Sequence, residues 1–178
     1  GIGFAVPSNM ARAVMNQIVR YGEVRRGRLG IEMADLTPEL AKKLASAAYD
    51  VWIAGSANDA AIGDEITRAS GGQCVDQCGK TTLAEVIDLM SCAALVISND
   101  SGLMHIAAAL DKPLLALFGS SSPAFTPPAS ARAQILSLEL PCSPCFERDC
   151  PLGHFNCMRQ LTPERVWQRI DFAKIHTP

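Results

Sequence analysis

Asn99-Asp100-Ser101-Gly102, with His105 one helical turn beyond Ser101, is the stretch of this 178-residue chain best placed to do chemistry. Five apolar and small residues, Ala94 to Ser98, run into it, and a helical pattern from Leu103 to Leu110 follows. A helix that starts at such a turn offers unpaired N–H groups and a positive dipole end, which suit an anion. Gly102 would let the backbone approach a ligand with no Cβ in the way. Ser101 adds a hydroxyl, Asp100 a carboxylate, and His105 an imidazole on the same helix face as Ser101. Any one of these residues alone reads as a cap or a packing residue, whereas all four on one turn predict a site. Two other turns carry polar residues at strand ends: Gly55 to Asp59, and Gly79-Lys80-Thr81-Thr82. In each, the bland role is the same, with Asp59 or a threonine capping the next helix. Gly79-Lys80-Thr81 is not a P-loop, because Cys74 occupies the position that needs the first glycine. Cys142, Cys145, Cys150 and Cys157, with His154 among them, have the density of a zinc or iron–sulfur site. Their spacing matches no standard zinc module, and reduced thiols or disulfides account for it equally well.

The elements that position these residues follow a regular alternation. Strands are predicted at Val51 to Ala54, Gln73 to Gln77, Ala94 to Ser98, Leu114 to Phe118 and, edge-like, Ala133 to Leu138. Helices are predicted between them: from Thr37-Pro38-Glu39 with Leu40 and Leu44 inward, and through Ile62 and Ile66. Another runs from Leu83 to Cys92 with Leu83, Val86, Ile87 and Met90 inward, and a terminal one from Pro163 to Phe172. Short apolar strands alternating with helices imply an α/β fold, a Rossmann-like parallel sheet with helices on both faces. Ligands bind such sheets outside the carboxyl ends of the strands, where all three polar turns lie. Gly119 to Pro128 is a Pro-rich loop after a strand, either closing on the same edge or simply connecting.

Composition narrows the function classes. Sixteen basic and eighteen acidic residues leave a net charge of −2, so charge alone implies no nucleic-acid partner. No apolar stretch is long enough to span a membrane, and no signal peptide is recognisable. Seven cysteines, an odd number, argue against a secreted disulfide framework and for a cytoplasmic location.

The segments VWIAGSANDAAIGDEI, NDSGLMHIAAALDKPLLALFGSSSPAFTPP and CSPCFERDCPLGHFNC together resemble glycosyltransferase family 9, and within it the heptosyltransferase II group. The likeness covers about residues 39–178 and implies the donor-binding, C-terminal half of a GT-B glycosyltransferase. It further implies ADP-heptose as donor, the lipopolysaccharide inner core as acceptor, and a place in the cytoplasm, peripheral at the inner membrane of a Gram-negative bacterium. On this resemblance Asp59 meets the ribose, Thr81 and Thr82 line the base, and Ser101 and Gly102 hold phosphate oxygens. Asp100 orients sugar hydroxyls and His105 donates near the leaving group, which makes these two the candidate catalytic residues. Transfer needs no cofactor; the cysteines are where a structural zinc or iron–sulfur centre would sit. The acceptor domain and its general base would lie outside this chain, leaving its own enzymatic activity open.

Residues 1–38 are different. GIGFAVPSNMARAVMNQIVRYGEVRRGRLGIEM resembles the protease–PDZ junction of DegP/HtrA-type serine proteases. A strand is expected at Gly1 to Val6, a helix at Met10 to Tyr21 and a new strand at Leu29-Gly30-Ile31. Ser8 has no His or acidic partner nearby and reads as a cap rather than a nucleophile. Two segments meeting inside one helix imply a chimera, whose first strand and helix would pack loosely on the surface that the second segment leaves uncovered. The alternatives to a heptosyltransferase half are an HtrA-type endopeptidase fragment and a non-catalytic, metal-binding α/β module.

Overall fold

The computed structural model describes residues 37–147 and 149–172, together with the backbone of Arg28–Glu32. The strand expected at Gly1 to Val6, Ser8 and the helix expected at Met10 to Tyr21 lie outside the described residues. Strands β1 (Arg28–Glu32), β2 (Asp50–Ala54), β3 (Cys74–Asp76), β4 (Ala93–Asn99), β5 (Leu114–Phe118) and β6 (Ala133–Ser137) form one sheet. Every pairing is parallel, in the order β3-β2-β1-β4-β5-β6. The strand order reverses between β1 and β4, and a doubly wound sheet opens its ligand crevice at such a reversal.

The helices are α1 (Pro38–Ser46), α2 (Ala60–Ala69), α3 (Leu83–Ser91), α4 (Gly102–Ala109), α5 (Asn156–Arg159) and α6 (Pro163–Arg169). Successive strand residues point to opposite faces, so β4 and β5 feed two cores. Leu95, Ile97, Leu115 and Leu117 pack with Leu40 and Leu44 of α1, Ile66 of α2 and Val166 of α6. Val96, Leu114, Ala116 and Phe118 pack on the other side with Val86 and Met90 of α3 and Met104 and Ala107 of α4. Leu40, Leu44, Ile53 and Phe118 are among the fully buried side chains, each contributing roughly 1.5–3 kcal/mol by leaving water. Small residues at Ala107 and Ala108 let α4 lie close on the sheet, which fixes where its N-terminus emerges.

Two expectations are revised. Leu83, in the first turn of α3, is 62% exposed rather than inward, whereas Val86 and Met90 further along the same stripe are buried. The terminal helix stops at Arg169, where Ile170 turns extended. The strand expected at Leu29-Gly30-Ile31 is present as Arg28–Glu32 and pairs with β2 on one side and β4 on the other, at the centre of the sheet. Without it, β2 and β4 would both present unpaired edges.

Candidate functional site

The turn after β4 takes its shape from its own side chains. Ser101 is extended (φ −153°, ψ 174°) and caps α4, its hydroxyl accepting the Met104 N–H at 3.4 Å. Ser98, buried at the strand end, holds its hydroxyl 3.3 Å from that of Ser101. The N–H groups of Gly102 and Leu103 then have no partner within the helix. A Cβ built on Gly102 would meet nothing within 4 Å, and His105, one turn along, is exposed. The Asp100 N–H donates to the Leu117 carbonyl at 3.2 Å. Its Oδ2 accepts the Thr126 hydroxyl at 3.0 Å. The structure thus gathers Asp100, Ser101, Gly102 and His105 on one open turn and adds Thr126. Sequence reasoning missed that residue, since nothing local marks a contact across 26 positions.

Asp59, Thr81 and Thr82 lie at the ends of β2 and β3, on the far side of β1. With strands ~4.8 Å apart, the ends of β2 and β4 are separated by ~10 Å, the reach of a nucleotide rather than of one small anion. Asp59 Oδ2 accepts both the N–H and the hydroxyl of Ser56, at 2.7 and 2.6 Å. Thr82 caps α3 in a reciprocal box with Glu85, whose Oε2 accepts the Thr82 N–H at 2.8 Å. The Thr81 hydroxyl leans on the Gln77 carbonyl at 3.4 Å. Thr82 therefore caps its helix as foreseen, whereas Asp59 stands at the start of α2 with no side-chain cap bond to it and instead holds Ser56; any ligand must share those groups.

Beneath them is a packed joint. Gly79 (φ 65°) sends its N–H to the Gly55 carbonyl at 3.0 Å, and a Cβ on it would lie 2.8 Å from Ala57 Cα. The Cys78 thiol faces the Ile53 carbonyl at 3.8 Å. Burial, then the neighbouring Asp76, pushes this thiol up to about 12. Burial pushes the Asp76 carboxyl up as well, but hydrogen bonds from Cys78 and Lys80 hold it below its ordinary value. Lys80 Nζ lies 2.5 Å from Asp76 Oδ2. The sequence signal for this joint was available in Cys78-Gly79-Lys80, a glycine between one side chain that turns onto β2 and another that turns back onto Asp76 of β3.

The cysteine segment packs behind the loop that follows β5. The Ser143 hydroxyl donates to the Gly119 carbonyl, the Phe146 N–H donates to Ser120 O at 2.8 Å, and Met158 presses on Gly119. Phe125 and Phe146 meet edge to face at 5.3 Å. Cys142, Cys145, Cys150 and Cys157 are free thiols that line one cavity of ≈ 20 Å³ with His154. The Phe155 N–H donates to Cys150 Sγ at 3.4 Å and is the main influence holding that thiol below its usual value. Burial, then the other three thiols, raises Cys157. Yet among the described residues no three His, Cys, Asp or Glu side chains are grouped to hold a metal ion. No helix among them is long and apolar enough to cross a membrane.

Comparison with known proteins agrees with this geometry. A family model described as Glycosyltransferase family 9 (heptosyltransferase) matches residues 38–156. Lipopolysaccharide heptosyltransferase 2 of Salmonella typhimurium is 39% identical over 136 residues, 74% of this chain and 39% of that protein. The structure of E. coli ADP-heptose lps heptosyltransferase II superposes with a TM-score of 0.73 at 30% identity, covering 97% of this chain and 53% of that one. E. coli heptosyltransferase WaaC, solved with ADP-2-deoxy-2-fluoro heptose, shares the fold with a TM-score of 0.59 at 21% identity, over 80% of this chain and 42% of that one. A short match of 44 residues, 25% of this chain, is 54% identical to the periplasmic serine endoprotease DegP of E. coli and covers 9% of it. The chain spans about two fifths of the curated heptosyltransferase it matches. An open, capped turn at the sheet reversal, with the family match running from the first residue of α1 into α5, places this chain in glycosyltransferase family 9, the heptosyltransferases.

Proposed function

We propose that this chain is the donor-binding half of a heptosyltransferase that takes ADP-heptose and, in the complete enzyme, delivers heptose to the lipopolysaccharide inner core. The observation that carries this is the empty space at Gly102, where α4 points free N–H groups outward at the reversal of the sheet. Ser101 and Gly102 would hold the diphosphate. Asp59 would meet the ribose through the carboxylate oxygen that Ser56 leaves open, and Thr81 and Thr82 would line the base. Asp100 would orient heptose hydroxyls, and His105 would donate to the departing phosphate. Negative charge grows on the diphosphate as the sugar–oxygen bond breaks, so donors there lower the barrier. The displacement is in line, inverts the anomeric centre, and needs a general base for the acceptor hydroxyl. None of the gathered residues is offered for that role, so little or no transfer is expected from this chain alone. The relatives' names and the ADP-sugar in WaaC support the choice of donor and acceptor.

Ligand-observed NMR titration with ADP tests the reading. Gly102→Ala should fold as wild type, since its methyl group meets no protein atom, yet bind ADP at least about tenfold more weakly by blocking the phosphate's approach. Equal binding by the two proteins would reject the site.

We further propose that residues 1–38 are of HtrA-like origin and supply β1 to a heptosyltransferase sheet; the DegP match supports the origin, and labelling by a serine-reactive phosphonate should be absent. A cytoplasmic setting, at the inner membrane's edge, suits seven thiols kept reduced. A second reading concerns the cysteine cavity, which has room for one water-sized occupant. We propose that these cysteines hold a structural zinc or iron–sulfur centre; elemental analysis finding neither zinc nor iron in reduced, purified protein would reject it.

A further inference from the structure

We propose that Thr126 is a positioning residue for Asp100: its hydroxyl aims the carboxylate at the sugar of a bound sugar nucleotide. The inference rests on the donor-site reading above and adds a residue to it. Asp100 has its backbone fixed by the bond to Leu117, but its side chain reaches out of the turn, and among the described residues Thr126 is what it bonds. The hydroxyl occupies one lone pair of Oδ2. Oδ1 and the second lone pair of Oδ2 remain to accept from two neighbouring sugar hydroxyls. A carboxylate held in one rotamer before the ligand arrives loses less freedom on binding than a swinging one.

Thr126 comes to Asp100 already ordered. The Phe125 and Thr126 N–H groups donate to the Ser122 carbonyl at 3.0 and 3.3 Å, and the Ala124 N–H donates to the Ser122 hydroxyl at 3.2 Å, closing a compact turn. The base of this loop is held from behind by Ser143 on Gly119 and Phe146 on Ser120, and its tip by the Phe125–Phe146 ring contact. The cysteine segment thereby braces the loop that braces Asp100. This gives the Gly119 to Pro128 loop a specific task at the donor site.

The experiment compares wild type, Thr126→Val and Thr126→Ser in NMR titrations with ADP and with ADP-heptose, alongside thermal unfolding. Valine keeps the shape and loses the donor; serine keeps the donor. T126V should bind ADP-heptose about tenfold more weakly, the scale of one hydrogen bond to a charged group, while its ADP affinity stays within about twofold. T126S should restore the ratio of the two affinities. T126V that binds ADP-heptose as wild type does, or loses both ligands alike, overturns the proposal, as does T126S behaving like T126V. If wild type binds neither nucleotide, the donor site itself is wrong and the positioning role falls with it.

Discussion

Two turns on the same edge of the sheet are built from the same parts and used in opposite ways. The joint formed by the β2 and β3 turns is filled. Gly79 touches Ala57, Cys78 sits buried under Gly55, Asp76 holds Cys78 and Lys80, and Asp59 holds Ser56. The turn after β4 is left open, with Gly102 facing space and His105 exposed. In the first, glycine makes room for protein; in the second, it makes room for something else. A polar turn at a strand end therefore does not announce a ligand until the space around its glycine is known.

Alanine at each glycine tests this contrast most directly. Gly79→Ala would force a left-handed backbone on an L residue and drive a methyl group into Ala57, costing about 3 kcal/mol in urea unfolding. Gly102→Ala, at the first position of α4 with no neighbour to meet, should lie within about 1 kcal/mol of wild type. Equal losses at the two glycines would erase the distinction between a filled and an open turn.

The thiols offer a second comparison, read in pH. Cys78 is raised to about 12 by burial and by Asp76, so its folded form binds the proton more tightly than the unfolded chain, where a thiol titrates near ~8.5. Its contribution to stability is complete below the unfolded value and is lost as pH climbs from there through about 12. Alkaline unfolding that Cys78→Ala moves to higher pH is the expected signature. At neutral pH Cys78 should resist alkylation in the folded protein. Cys150, lowered chiefly by the Phe155 N–H, should react before it, because the thiolate is the reactive form. Mass spectrometry of partly alkylated protein orders the two sites.

Much of this contrast was legible before the fold was seen, and the reason varies with the element. β4 and β5 are buried on both faces, so their sequences are unbroken apolar runs that end at Asn99 and Gly119. Ser101, Thr37 and Thr82 each precede a helical pattern and each caps it. The place of β1 was not legible, because strand order depends on which edges remain unpaired rather than on local pattern, and its sequence resembles another family. Leu83 matched the inward stripe of α3, but periodicity gives a direction and not the extent of the layer beneath. Short α5 was missed: it starts after Phe155 in a left-handed conformation, with no cap bond to mark it.

The two acidic residues at the turns separate next. Asp59 holds Ser56 through two hydrogen bonds, so Asp59→Ala should cost about 1 kcal/mol, as a lost cap does. Asp100→Ala removes one exposed contact and should change stability by no more than about 0.5 kcal/mol. Under saturating ADP-heptose the order should reverse: on the proposed donor site wild type should gain thermal stability, and Asp100→Ala should lose more of that gain than Asp59→Ala.

The smallest expected change in stability is at Ser101, and it isolates the hydroxyl from the cap. The bond from the Met104 N–H to Ser101 Oγ is long, at 3.4 Å, and glycine at an N-cap costs only a few tenths of a kcal/mol (~0.3) relative to serine. Ser101→Gly therefore keeps the turn and the first free N–H groups of α4 while deleting a hydroxyl. If that hydroxyl only caps the helix, ADP should bind Ser101→Gly as it binds wild type. If it also donates to a phosphate oxygen, affinity should fall about tenfold with unfolding almost unchanged. Thr82→Gly is the matched control at the joint, where serving the cap and serving a ligand cannot be pulled apart, because Glu85 closes the box on the same hydroxyl.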